Sequence, residues 1–368
     1  MSVVEFKKDT IYRQLRSSII NGTYPCEHKF PRELDFSRKL GVGKVTLRMA
    51  LEKLEAEGLV ARLPSRGTFV TYDESHGTEA GRILLLSEQV GGMENPYLYI
   101  LPGVLERAAD ALRATTICPI EYLLSMSAFE QRDMVRKNNI SGVVLLTGHF
   151  TGSEPLIGAL KNMDVPVVIA HAKGMDREIT GFATIRIDQC AAWRTAIQHL
   201  AAQGHERVAT LICDCVGDNI RDYSEAEHLN LLSNFGMKAD RELIIRADYD
   251  KQKVYCAINE FAKKSGFMPS AVLCFSDFMA IYLYDTLKEM RIRIPEDVAV
   301  MGYCGYPGSA LLSPPLSTVD FQYTKIGAAS FDLLASSGEW FDPSAEVVAP
   351  EIFVEYVLRE RKSTSAIK

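Results

Sequence analysis

From Arg82 to Met301 the chain alternates short, continuous apolar runs with segments of helical period, and it does so twice. Ile83–Leu86, Cys118–Leu124, Gly142–Leu146 and Val165–Ala170 are strand-sized. Tyr97–Leu112, Phe129–Lys137 and Glu154–Asn162 between them read as helices. After Ile185 the rhythm restarts. Helices Ala191–Gln203, Ser224–Asn234, Lys251–Lys264 and Phe278–Arg291 separate strands Val208–Ile212, Leu243–Arg246, Ala271–Cys274 and Val298–Met301. A strand apolar on both faces must be covered on both, so the pattern predicts parallel sheets between helical layers. Two successive doubly wound parallel-sheet halves make a bilobed α/β body, with a ligand cleft expected where strand carboxyl ends converge.

A different period governs the first seventy residues. Leu47, Ala50, Leu51 and Leu54 fall at i, i+3, i+4 and i+7 and predict a helix with one buried face. Lys44 and Arg48 lie one turn apart on a neighbouring face, while Glu52, Lys53, Glu55 and Glu57 keep the far end soluble. After Gly58 the period shifts to two: Leu59, Ala61 and Leu63 alternate with Val60 and Arg62, and Thr68-Phe69-Val70 is a second strand-like run. Pro64-Ser65-Arg66-Gly67 forms the tip of the resulting hairpin. Upstream, Asp9 or Thr10 is placed to cap a helix with the stripe Ile11, Leu15, Ile19. Pro31 opens a second helix carrying Leu34 and Leu40, which breaks at Gly41. Helix, helix-turn-helix and hairpin make a winged helix-turn-helix. A helix with early cations fits the DNA major groove, where Arg or Lys donates to guanine edges. An arginine on a thin hairpin reaches phosphate.

Charge is distributed to match. Residues 1–72 hold 13 Lys/Arg against 8 Asp/Glu, a balance of +5; the remainder holds 28 against 39, or −11, giving −6 overall. A basic head on an acidic body confines the phosphate-seeking surface to one end. Tyr72–Gly81 is polar and glycine-bearing and reads as a linker. The expected divisions are a head over 1–72, a linker over 73–81 and a bilobed body over 82–368. Lobe 1 takes about 82–187 and 320–345; lobe 2 takes about 188–318 and 346–360.

Several function classes find no support. Met1–Lys8 is polar with no apolar signal core, and no apolar run approaches a membrane span, so a cytoplasmic protein is expected. The eight cysteines form no CxxC pair. Cys213-x-Cys215 has the wrong spacing for a zinc knuckle, so the cysteines read as reduced core residues. No HxxxH or HExxH occurs, and no metal or cofactor is expected. Gly302-Tyr303-Cys304-Gly305-Tyr306-Pro307-Gly308 lacks phosphate-loop spacing, and GxxxxGK[ST] and GxSxG are absent, so the chain is not read as an enzyme.

In the head, Tyr12…Leu15-Arg16…Ile19, Asn21-Gly22, Phe30-Pro31-Arg32-Glu33, Leu40-Gly41-Val42, Thr46-Leu47-Arg48, Leu54–Val60 and Arg66–Val70 together resemble the GntR family closely and without a gap. The resemblance implies a DNA-binding head contacting operator DNA through Arg32, Glu33, Lys44, Thr46, Arg48, Arg66 and Gly67. This sequence departs from the family twice. Pro31-Arg32-Glu33-Leu34 stands for Pro-Ser-Glu-Arg, and Gly43-Lys44 for Ser-Arg, which replaces a planar fork with a point charge.

In the body, Ile140–Leu146, Val165–Val168, Ile187-Asp188-Gln189, Gly204–Ala209, Ala271–Asp277, Ile294–Tyr303, Pro314–Val319 and Leu358-Arg359-Glu360 resemble the LacI/GalR effector domain, which shares the periplasmic-binding-protein fold. A GntR head on such a body is the arrangement of arabinose-type repressors. The resemblance implies a dimeric repressor whose operator affinity is set by a sugar or sugar-like effector between the lobes. A solute-binding protein, or a regulator with a non-sugar effector, is the alternative. Matched to the family, the effector contacts are Asn95, Tyr97, His171, Arg221, Ser276, Asp277, Cys304 and Phe321, with Ser224 in the slot of the family arginine. Cys304 and His171 occupy positions where the family usually has Asp.

Overall fold

Helical periodicity builds the head as read from the sequence. The computed structural model describes residues 7–20, 22–63, 66–72, 81–88, 95–213, 219–220, 223–344 and 347–364. Helices α1 (Lys7–Ile20), α2 (Glu33–Lys39) and α3 (Lys44–Ala56) precede a hairpin of β1 (Val60–Leu63) and β2 (Gly67–Val70). Ile11, Leu15 and Ile19 of α1 meet Leu47, Ala50, Leu51 and Leu54 of α3 in one buried cluster. Asp9 and Thr10 lie inside α1 rather than at its cap. α2 buries Phe36, while Leu34 is exposed, because a helix starting at Glu33 turns position 36 inward. Leu59 still belongs to the turn closing α3, its N–H donating to Leu54 O at 2.9 Å. Hence Leu59 and Val60 are both buried, and Leu63 reaches the exposed tip. Residues 27–30 run along β2, with Glu27 N–H on Val70 O and Phe30 N–H on Thr68 O, both at 2.9 Å.

The first sheet of the body has the strand order β15-β7-β6-β5-β3-β4. Its elements are β3 (Arg82–Ser87), α4 (Tyr97–Asp110), β4 (Thr115–Pro119), α5 (Ile120–Leu124), α6 (Ala128–Lys137), β5 (Ile140–Leu146), α7 (Pro155–Lys161), β6 (Val167–Ile169), α8 (Asp176–Thr180) and β7 (Ala183–Arg186). The pairings among β3 to β7 are parallel. The run Cys118–Leu124, expected as one strand, is divided: Pro119 lacks a ladder donor and becomes the cap of α5.

A second sheet has the order β11-β8-β12-β13-β14-β16. It is built from α9 (Gln189–Ala202), β8 (Val208–Cys213), β9 (Asn219–Ile220), β10 (Tyr223–Ser224), α10 (Glu225–Asn234), β11 (Ile244–Ala247), α11 (Lys251–Ser265), β12 (Ala271–Cys274), α12 (Asp277–Glu289), β13 (Ala299–Cys304) and β14 (Ser317–Asp320). After α13 (Tyr323–Ala335) come β15 (Glu351–Phe353) and β16 (Val357–Arg359). The pairings from β11 to β14 are parallel, and β16 closes the edge antiparallel to β14. The stretch 346–360, expected wholly in lobe 2, is shared: β15 belongs to the first sheet and β16 to the second. By its contacts the chain forms two compact units, Met1–Gly91 with Ile100–Thr184 and Gly327–Pro350, and Gly92–Tyr99 with Ile185–Ile326 and Glu351–Lys368.

Cysteine usage differs from expectation. Cys118, Cys274 and Cys304 are buried, but Cys26, Cys190 and Cys256 are exposed, the last two on outward positions of α9 and α11. Cys213, at the end of β8, is disulfide-bonded rather than reduced. Among the described residues no helix is long and apolar enough to cross a membrane.

Within the first unit α4 and α13 touch backbone to backbone. A Cβ added at Gly327 would fall on the Ile100 carbonyl oxygen and close to Val104 N and Gly103 Cα. Arg107, about two turns after Ile100, clasps Asp332, its Nε at 2.9 Å and Nη2 at 2.6 Å from one carboxylate oxygen. Gly327→Ala is expected to lower stability by about 1–3 kcal/mol, because overpacking must displace a helix rather than a side chain. Chemical denaturation of the two proteins measures it.

Candidate functional site

The outward face of α3 carries Lys44, Val45, Arg48 and Met49, all exposed, with Val45 at 73% and Met49 at 40%. Thr46 is half-buried beside Gly43, which starts α3 without a side-chain cap. Exposed methyl and thioether groups beside cations suit the major groove, where thymine offers a methyl and guanine two acceptors. The sequence reading chose the cations and passed over Val45 and Met49; their place outside the Leu47–Leu54 stripe was the available signal. Arg66 is exposed, its N–H closing the hairpin turn on Leu63 O at 3.1 Å. Gly67 has φ +112, and a Cβ there would press on the Lys29 side chain at 3.1 Å. Arg32 is exposed immediately before α2.

Glu33 lies among these cations without standing at the surface as they do. Its carboxylate accepts from Arg48 Nη2 at 3.0 Å and from Arg62 Nη2 at 2.6 Å, joining α3 to the wing strand β1. Burial alone would raise its pKa, but the two guanidinium hydrogen bonds outweigh burial and hold it below the ordinary carboxylate value. Arg62, absent from the residues read from sequence, also approaches Glu52 and Glu55 at 3.7 and 3.9 Å. One Arg48 nitrogen is thus committed to Glu33, and the guanidinium keeps further N–H donors.

In the second unit, aromatic rings from distant segments gather into one cluster. Tyr99 of α4 lies 4.8 Å from Tyr306 and 6.2 Å from Tyr323, and Tyr306 stacks on Tyr323 at 5.6 Å. Phe278 meets Tyr306 edge-on at 4.9 Å. Tyr99 and Phe278 are half-buried, and Tyr306 and Tyr323 are buried. Asn95 opens α4, its Oδ1 accepting from Tyr97 N–H at 3.0 Å. Tyr97 is half-buried, so the exposed part of this first turn holds the predicted Asn95 and Tyr97 together with Tyr99, which sequence alone did not single out.

Other predicted residues have structural duties. Ser276 caps α12, accepting from Met279 N–H at 3.3 Å. Asp277 has no exposed surface and accepts from Thr318 Oγ1 at 2.6 Å and Tyr306 N–H at 2.7 Å. Burial pushes its carboxyl up to about 7 against those hydrogen bonds. Phe321 is fully enclosed, packed on Tyr303 and Tyr323. Cys304 is buried at the end of β13 with φ +96, and His171 of the first unit is buried with φ +61, its Nε2 3.4 Å from Lys173 Nζ. Asp277 and Phe321, expected as effector contacts, are enclosed here and pack beneath the ring cluster, Asp277 on the Tyr306 backbone and Phe321 on the Tyr323 ring. Ser224 forms a capping box with Glu227, which commits its hydroxyl. Arg221 lies outside the described residues. Among the described residues no group of three His, Cys, Asp or Glu is placed to hold a metal.

Residues 7–70 match the gntR family of bacterial regulatory proteins, and residues 197–364 match a periplasmic binding protein-like domain. The chain is 23% identical over 373 residues to the arabinose metabolism transcriptional repressor of Geobacillus stearothermophilus, across 95% of this chain and 96% of that one. It is 29% identical over 214 residues to the HTH-type transcriptional repressor PurR of Vibrio atlanticus, across 56% of this chain and 60% of that one. The solved complex of the transcriptional regulator CelR with cellobiose aligns with a TM-score of 0.59 at 20% identity, covering 91% of this chain and all of that one.

Proposed function

Because the chain joins a gntR-family head to a periplasmic-binding-protein-like body of the LacI type, we propose that it is a transcriptional repressor whose hold on operator DNA is set by a small ligand bound in the body. The observation that carries the reading is the exposed face of α3, with Lys44 and Arg48 beside Val45 and Met49, flanked by Arg66 on the wing. Lys44, Thr46 and Arg48 read base edges; Arg32, Arg66 and the Gly67 turn approach phosphate. Glu33 positions Arg48 and Arg62 rather than touching DNA, since a carboxylate facing phosphates is repelled. The functional divisions are a head over 1–72, a linker over 73–81 and the body beyond. Two copies present two heads to a pseudo-palindrome. The protein works in the cytoplasm, and it binds without catalysing a reaction.

For the ligand, Asn95, Tyr97, Tyr99, Phe278 and Tyr306 form the contact surface. Ring faces with one amide suit a sugar or sugar derivative, the class named in two of the relatives' descriptions. A second reading, a less polar or non-sugar effector, is favoured by one observation: Asp277 is enclosed and the family's other Asp positions are Cys304 and His171.

Two measurements on the full chain test this. Affinity for a duplex selected from a random-sequence pool should fall steeply with salt, at a log–log slope of about −4 or steeper. In a thermal-shift panel of monosaccharides, disaccharides, sugar acids and polyols, a ligand at 100 times its Kd should add about 2.7 kcal/mol of stability. Salt-insensitive DNA binding, or none, would remove the repressor reading. A blank sugar panel beside intact DNA binding would leave the non-sugar effector.

A further inference from the structure

Helix α4 starts in the ring cluster and ends under the head. At its first turn, Tyr99 lies against Tyr306 and Tyr323. Its last turn presents carbonyl oxygens that a helix leaves without intrahelical donors. The head adds donors there: Arg16 Nη2 donates to Asp110 O at 3.0 Å and Arg16 Nη1 to Ala109 O, which also accepts from Leu112 N–H at 3.2 Å, while just past the helix Tyr72 Oη donates to Leu112 O at 3.4 Å. Arg16 is 7% exposed, and its Nε is held at 2.8 Å on Glu57, the residue that caps the end of α3. A buried guanidinium is costly unless its nitrogens are paired, and here all three are. A cation at a helix C-terminus also meets the negative end of the helix dipole. Ala109 and Leu112 pack on the apolar core of the head around this contact.

Between its ends α4 has little room to yield. Gly327 brings the α13 backbone onto Ile100, and Arg107 is clasped by Asp332. A close-packed contact moves as a block rather than deforming gradually.

We propose that α4 is a lever coupling the ring cluster to the DNA-binding head, with Arg16 as the latch at its far end. The proposal rests on the ligand-binding reading of the ring cluster given above. A ligand that parts Tyr99 from Tyr306 displaces the first turn of α4. The latch passes that displacement to α1 and α3, and so shifts the population of head arrangements that fit DNA. Contiguity alone does not establish coupling; a measured interaction between the two ends does.

The test is a double-mutant cycle of Tyr99→Ala and Arg16→Ala in the full chain, which needs no ligand. Two readouts are used: affinity for the selected duplex, and the rate at which a glutamate-specific protease cuts the linker at Glu74 and Glu79. With the latch intact, Tyr99→Ala is expected to change both by about fivefold. In the Arg16→Ala background it should change neither by more than about 1.5-fold. Equal effects of Tyr99→Ala in both backgrounds, or no effect with Arg16 present, would overturn the lever. Circular dichroism melting checks each variant. If Arg16→Ala does not fold, Arg16→Lys, which keeps charge but loses the fork, and Tyr72→Phe replace it. Should the wild type select no duplex, the repressor reading fails while the proteolysis arm still decides the lever.

Discussion

Arg48→Ala is expected to weaken binding to the selected duplex by roughly 1–3 kcal/mol per recognition helix, or about 5- to 150-fold, and twice that in free energy on a two-half-site duplex. The loss has two sources. A forked donor to a base edge disappears, and Glu33 loses one of the two guanidinium partners that hold its carboxylate between α3 and the wing. The first source predicts relaxed discrimination at one base position. The second predicts a small, sequence-independent loss through a less ordered Arg62 and wing. Competition with single-base variants of the duplex separates them. An unchanged affinity and an unchanged base preference would mean that α3 is not the reading helix.

The second large effect lies in the body. Asp277→Ala is expected to cost about 2–5 kcal/mol at pH 7, because it orphans Thr318 Oγ1 and the Tyr306 N–H in a fully buried position. Asp277→Asn keeps an acceptor and separates charge from shape. The folded-state pKa of Asp277 stands at about 7, above the ordinary 3.8. Its stabilising contribution is therefore fully present below about pH 4 and is lost as the pH rises through 7, because the unfolded chain releases the proton first. Across that window wild-type stability should lose roughly 3–5 kcal/mol relative to Asp277→Asn. Urea denaturation of both proteins from pH 4 to pH 8 reads the difference. Parallel curves would show that the carboxyl is already ionised in the fold.

Elements set by local periodicity were legible in the sequence. The α3 stripe Leu47, Ala50, Leu51, Leu54 is buried as read, and apolar runs such as Ala271–Cys274 are central strands. Where a single residue overrides a run, the reading erred: Pro119 ends a strand that hydrophobicity alone would continue. Exposed Cys190 and Cys256 show the same limit, since an apolar neighbourhood in sequence does not fix which face of a helix a residue takes. The head's cations were legible because recognition helices carry them close together in sequence. Arg62 and Arg16 were not, because their partners lie 29 and more than 90 residues away. The ring cluster failed to appear for the same reason: Tyr99, Phe278, Tyr306 and Tyr323 meet only after both the first turn of α4 and the ends of β12 to β14 are in place.

The late strands β15 and β16 bear on how the protein is born. On the ribosome, β3 to β7 are complete once Arg186 has emerged, yet the strand that covers their edge begins at Glu351, 165 residues later. At common translation rates that edge waits roughly ten to thirty seconds with its N–H and C=O groups open to any passing strand. The second sheet closes later but waits less, since β14 ends at Asp320 and its edge strand begins at Val357. Synthesis of this last short stretch, rather than of either sheet's central strands, sets the moment at which both sheets can close their edges.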